Sequence, residues 1–116
     1  MRIDLQLLGR FGATVESNPP RIVQISAPRR RALLAYLALQ PGHMETRERL
    51  AALLWGDASD HQARQSLRQC LLGLRKEFRA AGLDPLVIER DAVGLDPARF
   101  AIDAREFMIL AGPGGA

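Results

Sequence analysis

The fold turns on one stretch, His61-Gln-Ala-Arg-Gln-Ser-Leu-Arg-Gln-Cys-Leu-Leu-Gly-Leu-Arg-Lys-Glu-Phe-Arg-Ala-Ala81. At roughly 100° per residue, Ala63, Leu67, Cys70, Leu71, Leu74, Phe78 and Ala81 fall within an arc of about 100°, the width of a core-facing stripe. Arg64, Arg68, Arg75 and Arg79 fall within about 60° of one another on the same wheel, flanked by Gln65, Gln69 and Lys76. Glu77 is the single acid between His61 and Ala81. The pattern predicts one long amphipathic helix. Its limits are written in the sequence as well: Ser59-Asp-His-Gln62 matches a capping box, and Gly82 is a good glycine to end the last turn.

Two shorter helices are expected upstream. Ser26 as a cap and Pro28 in the first turn open one that runs to about Gln40 and stops at Pro41-Gly42. Its Leu33, Leu34, Leu37 and Ala38 leave little polar surface. Arg29, Arg30 and Arg31 crowd its start, where the helix dipole disfavours positive charge. They read as a solvated charge run in preference to an anion or partner contact. Thr46 caps the other helix, Arg47 to about Trp55, with Leu50, Leu53 and Leu54 facing inward and Trp55 plugging the core. Gly56-Asp-Ala-Ser-Asp60 is then a short acidic loop before the long helix.

Strands bracket the helices. Ile3, Leu5 and Leu7 alternate with Arg2, Asp4 and Gln6, a half-buried strand, and Phe11, Ala13 and Val15 repeat the alternation after a break at Gly9-Arg10. Asn18-Pro-Pro20 makes a turn into a third strand, Arg21 to Ile25, giving an antiparallel meander. Leu86-Val-Ile-Glu89 and Val93-Gly-Leu95 flank Arg90-Asp91-Ala92 as a hairpin with a three-residue tip. Phe100 to Leu110 reads as a last strand leading into the start of a helix, and Gly112 to Ala116 as a tail that frays.

The bulk numbers suit this plan. A chain of 116 residues, 47% apolar and 25% charged, fits one compact domain with a real core. Net charge is only +3, but Lys76 is the single lysine, so the positive charge is almost all arginine. Arginine's planar fork suits phosphates and guanine edges, although GC-rich coding also inflates arginine everywhere. One cysteine, Cys70, makes no internal disulfide and no cysteine metal site, and its place on the apolar arc makes it a structural thiol. The N-terminus carries Asp4 and alternates instead of running apolar, so it is not expected to be a signal peptide, and the longest apolar run, Ala32 to Leu39, is too short for a bilayer, which needs about 20 residues. The expectation is a soluble, cytoplasmic protein with no membrane partner.

Enzyme chemistry finds little support. His43 and His61 stand far apart without metal-ligand spacing, the serines lack a nucleophile-elbow context, and the glycines form no phosphate loop. No catalytic residue, metal or cofactor is expected. His61, in the first turn of the long helix, is a solvated histidine before it is a phosphate donor.

Strands, three helices with a short turn before the third, and a closing hairpin make an α+β winged helix-turn-helix, with N-terminal antiparallel strands and a C-terminal β-hairpin wing. Such a fold offers its last helix to the DNA major groove, about 12 Å wide. Gln65, Arg68 and Gln69 sit where base edges can be read, and Arg64 is a further DNA-binding candidate on the arginine arc. Arg75, Lys76 and Arg79 are better placed for phosphates, and Arg90 is the one cation at the wing tip. Leu72 is exposed on the same arc, open to a thymine methyl or to a neighbouring protomer. A basic helical face is often only solvated, so the ordered context carries the DNA reading. A winged-helix module that docks a protein, without touching DNA, is the alternative.

Leu7-Leu-Gly-Arg-Phe-Gly12, Arg29-Arg-Arg-Ala-Leu-Leu-Ala-Tyr-Leu-Ala-Leu39, Pro41-Gly-His-Met-Glu-Thr-Arg-Glu-Arg-Leu50, Leu53-Leu-Trp-Gly-Asp57 and Ala63 to Arg75, in this order, resemble the N-terminal domain of SARP-type transcriptional activators, whose DNA-binding part is of the OmpR/PhoB winged-helix type. The resemblance spans residues 3 to 110. It implies that the helix from His61 to Ala81 is the recognition helix. It further implies that the loop Gly56, Asp57, Ala58, Ser59 and Asp60 faces RNA polymerase, and that binding occurs as a dimer on direct repeats. Residues 1–100 are then the DNA-binding domain, and 101–116 the start of a helical activation domain or linker. The hairpin departs from the family in having Leu95, not an aromatic, after Gly94.

Overall fold

Alternation in the first strand has a direct structural outcome: Ile3 and Leu5 are buried while Asp4 and Gln6 face solvent. The computed structural model describes residues 2–6, 11–17, 19–40 and 42–102. The expected break at Gly9-Arg10, the start of the Asn18 turn, the helix after Ile102 and the glycine-rich tail lie outside them. In chain order the elements are β1 (Ile3–Gln6), β2 (Gly12–Val15), β3 (Arg21–Ile22), α1 (Pro28–Ala38), β4 (Glu45–Thr46), α2 (Arg47–Leu54), α3 (Asp60–Ala80), β5 (Leu86–Glu89), β6 (Ala92–Leu95) and β7 (Phe100–Ile102).

Two sheets flank the helices. The first has the order β3-β2-β1-β7 and the second β4-β6-β5. The expected meander is present, β1 antiparallel to β2 and β2 to β3. Its third strand is shorter than the sequence suggests. Only Arg21 and Ile22 pair in the ladder, although the Val23 N–H still reaches the Ala13 carbonyl at 2.9 Å and Val23 and Ile25 remain buried. Beyond them the chain turns into α1. The last strand closes the same sheet by pairing parallel to β1, with Ile3 opposite Phe100. The second sheet holds the wing hairpin and adds β4, two residues that show no period in the sequence.

The core lies between these sheets and the three helices. Leu33, Leu34, Leu50, Leu74 and Phe78 are wholly inaccessible. Every member of the apolar arc drawn from the sequence, Ala63 to Ala81, is buried. The ends of α3 obey the expected chemistry. The Ser59 hydroxyl accepts from the Gln62 N–H at 3.2 Å. At the other end Gly82, at φ +97°, donates to the Arg79 carbonyl and Leu83 donates to Phe78, the paired bonds of a Schellman motif. Thr46 caps α2 as expected, accepting from the Arg49 N–H at 3.2 Å.

Four local expectations change. Ala27, not Ser26, occupies the cap position of α1, and no side chain caps it. Ser26 sits one residue too early and instead offers its N–H and hydroxyl to Glu77 at 3.0 and 3.1 Å. Arg29, Arg30 and Arg31 are not a solvated run. Arg29 donates to the Leu54 carbonyl and lies 5.4 Å above the Trp55 ring, Arg30 pairs with Glu77 at 3.2 Å, and Arg31 donates to the Ile25 carbonyl at 3.0 Å. They tie α1 to α2, to α3 and to the segment that leads from β3 into α1. Leu53 points outward, 55% exposed, because Ala51 takes the inward position beside Leu50. The wing tip is two residues, Arg90 and Asp91, with Glu89 opposite Ala92.

One glycine of α3 is occupied by a close approach of a neighbouring side chain. Gly73 lies on the flank of α3 that faces α1, and a Cβ there would overlap the guanidinium of Arg30. A mid-helix glycine costs about 1 kcal/mol relative to alanine. Here it leaves room for the Arg30–Glu77 pair.

Candidate nucleic-acid interface

Helix α3 is held by its buried arc and by the flank of Gly73 and Glu77 that meets α1 and the segment before it, and presents its remaining surface outward. Arg64, Gln65, Arg68 and Gln69 are all exposed, and their side chains make no hydrogen bond or ion pair with another described residue. Lys76 is exposed in the same way. The structure therefore brings the expected base-reading residues onto one open face, in the first half of the helix.

The second half is different. Arg75 is half-buried, and its Nε donates to Asp84 at 2.9 Å, while Arg79 Nε stands 3.4 Å from the same carboxylate oxygen. Asp84 is itself mostly buried, and its other oxygen accepts from the Leu86 N–H that opens β5. On the helical wheel Arg75 falls between Arg64 and Arg68, which both stay exposed, so helical phase alone does not half-bury it. The Gly82 reversal then brings Asp84 back to it. Nothing in the spacing of residues 75 and 84 signals this pairing, since it depends on the geometry of the cap.

At the wing tip Arg90 is exposed with φ +38°, the one described non-glycine residue in the left-handed region. The tip does not stand free. The Asp91 carbonyl accepts from the Arg47 N–H, the first residue of α2, and β4 pairs with β6 immediately beside it. A cleft opens where the two meet α3, lined by Arg47, Arg64, Arg68 and Asp91 among others. Arg47 is a residue that sequence reasoning misses, because its only signal is its place at the start of α2. Its Nε is buried without a hydrogen-bond partner among the described residues.

The foot of the wing is fixed by a carboxylate. Glu45, on β4 opposite Val93, accepts from Tyr36 of α1 at 3.2 Å and from the Thr46 N–H at 3.3 Å, lies 3.3 Å from His43 Nε2, and pairs with Arg49 of α2 at 3.8 Å. Burial alone would raise its pKa. The hydrogen bonds from His43, Thr46 and Tyr36 and the charge of Arg49 outweigh it and hold the carboxyl below its ordinary value. Cys70, on the buried arc, is the opposite case. Burial pushes its thiol up to about 11, so the thiolate is scarce at neutral pH and the residue is inert.

Of the loop expected to face a protein partner, Gly56, Asp57, Ser59 and Asp60 are exposed and Ala58 is half-buried. Ala58 is held by its N–H to the Trp55 carbonyl at 3.1 Å. No helix among the described residues is long and apolar enough to cross a membrane.

Comparison with known proteins agrees with this architecture. The family model for the C-terminal part of transcriptional regulatory proteins matches residues 24–93, from before α1 into β6. The transcriptional regulatory protein EmbR of Mycobacterium tuberculosis is 32% identical over 87 residues, 75% of this chain and 22% of that protein. The protein of the same name in Mycobacterium bovis matches equally. The solved structure of Mycobacterium tuberculosis EmbR in complex with a low-affinity phosphopeptide superposes with a TM-score of 0.67 at 28% identity, covering 82% of this chain and 25% of that one. The chain thus spans about a fifth of the length of the curated relatives it matches.

Proposed function

The chain belongs to the family of transcriptional regulatory protein C-terminal domains, with the winged-helix fold of the OmpR/PhoB type that its sequence resembles, and from that premise we propose that it binds double-stranded DNA in a sequence-specific manner. In this reading α3 enters the major groove and the wing tip approaches the adjacent backbone or minor groove. One observation carries it: Arg64, Gln65, Arg68 and Gln69 stand unpartnered by any described residue on a helix whose opposite side is locked into the core. Arg and Gln in that setting make bidentate contacts to guanine and adenine. Lys76, Arg79 and Arg90 contribute to phosphate contact, with Arg75 and Arg79 sharing their charge with Asp84. Polymerase contact through Gly56–Asp60 and dimerisation on direct repeats extend the same reading.

Gel-shift titration at several salt concentrations tests it. On a duplex selected from a random library, Arg68→Ala is expected to weaken binding by about 1–3 kcal/mol and to relax preference at one base pair. An equal loss on every sequence, with the salt slope reduced by about one, reassigns Arg68 to a phosphate. If neither Arg64→Ala nor Arg68→Ala weakens binding, α3 is not the reading helix and the protein-docking alternative takes its place.

A further inference from the structure

Leu72 is out of keeping with its surroundings. It is 55% exposed, one of four large hydrophobic side chains so placed among the described residues, and it lies in the middle of the open face of α3. Its helical neighbours three and four residues away are Arg68, Gln69, Arg75 and Lys76. Arg68 and Lys76 are exposed and unpaired with any described residue, Arg75 shares its charge with Asp84, and Leu72 has no apolar neighbour three or four residues away on its own helix surface. Whatever covers it must be anionic around its rim and apolar at one point. Duplex DNA meets both conditions: phosphates border the major groove, and the C5 methyl of thymine is the apolar feature that the groove presents.

We infer that Leu72 is a specificity-determining residue that reads the methyl group of one thymine in the bound site. The inference rests on the DNA-binding reading above and adds to it the identity of a contacted atom. A second copy of this chain is the competing occupant. It fits less well, because a chain of net charge +3 would have to bring acidic groups to the same cations. Leu72 also sits one turn beyond Arg68 and Gln69, so a thymine read here adjoins the base pairs those residues reach.

The test removes one methyl group and nothing else. A duplex is first selected from a random library with the purified chain, and each of its thymines is then replaced in turn by deoxyuridine. Kd is measured by gel shift for the unmodified protein, for Leu72→Ala and for Leu72→Met. Loss of a buried methyl predicts that the unmodified protein binds one deoxyuridine duplex about fourfold more weakly. Leu72→Ala is expected to bind the thymine and deoxyuridine forms of that duplex equally, and Leu72→Met to keep the preference. Both substitutions are at an exposed position, and retention of the thermal unfolding midpoint verifies the fold. If no thymine shows the effect, or if Leu72→Ala retains it in full, the inference is overturned while salt-dependent duplex binding still stands. A loss of cooperative binding in Leu72→Ala without any deoxyuridine effect overturns it in favour of the second copy. Absence of salt-dependent binding to any duplex overturns the DNA-binding reading and this inference together.

Discussion

Helix α3 carries four arginines within a narrow arc, two in each half, and the molecule treats the pairs differently. Arg64 and Arg68 stand in solvent without a partner among the described residues, whereas Arg75 and Arg79 converge on Asp84. Residue type and helical phase are shared, so neither explains the contrast. The path of the chain at each end of the helix does. At Asp60 the chain has only entered α3, and although Glu48 and Asp91 border the same cleft as Arg64 and Arg68, no described acid pairs with either arginine. Past Ala81 the Schellman turn at Gly82 folds the chain back and delivers Asp84 to the second half. The first half is thus left available for a ligand, while the second is committed in part to joining α3 to β5.

The contrast can be broken most severely in the core. Phe78→Ala removes a wholly buried ring from the second half and is expected to cost about 3–5 kcal/mol in denaturant unfolding. Gln65→Ala in the first half should stay within about 0.5 kcal/mol of the parent. Comparable losses at both sites would show that the first half carries structure as well. Asp84→Asn probes the electrostatic side with a smaller effect on stability. The pair is partly solvated, so about 1 kcal/mol is the expected loss. Releasing Arg75 and Arg79 should at the same time strengthen non-sequence-specific duplex binding and steepen its salt slope by about one to two. Unchanged affinity and slope would mean that Asp84 withholds nothing.

The smallest effect is at Gly73. Gly73→Ala gains about 1 kcal/mol of helix propensity but displaces Arg30 from Glu77, an exchange expected to leave stability within about 0.5 kcal/mol of the parent. In an Arg30→Ala background the same substitution should stabilise by nearly the full 1 kcal/mol, a coupling that a double-mutant cycle in urea measures. Equal effects in both backgrounds would show that the two residues are independent.

The sequence shows α3 and its two faces almost completely, because period, cap and terminating glycine all agree over a long element. It shows the exposed cluster Arg64 to Gln69 for the same reason. Less legible are features that require two distant segments to meet. Ser26 has the chemistry of a helix cap, yet the Glu77 carboxylate, 51 residues away, takes it. Arg29 to Arg31 look like a solvated run until Trp55, Glu77 and the Ile25 carbonyl are placed around them. Asp84 carries no signal as a partner for Arg75, and β4 is too short to show a period. The pattern is physical: local interactions repeat along the chain and leave a spacing, whereas a single long-range ion pair leaves none.

The parallel pairing of β1 with β7 bears on mechanics. Ile3 lies opposite Phe100 and Leu5 opposite Ile102, and the Ile3 N–H bonds the Arg99 carbonyl at 2.7 Å. Tension applied to the chain just before Ile3 and just after Ile102 would run along these two strands in opposite senses. It would load their hydrogen bonds in shear, all together, instead of peeling them one by one from an end. The seam that joins the first strand to the last is therefore oriented to resist a pull along the chain and to shield the helices from it.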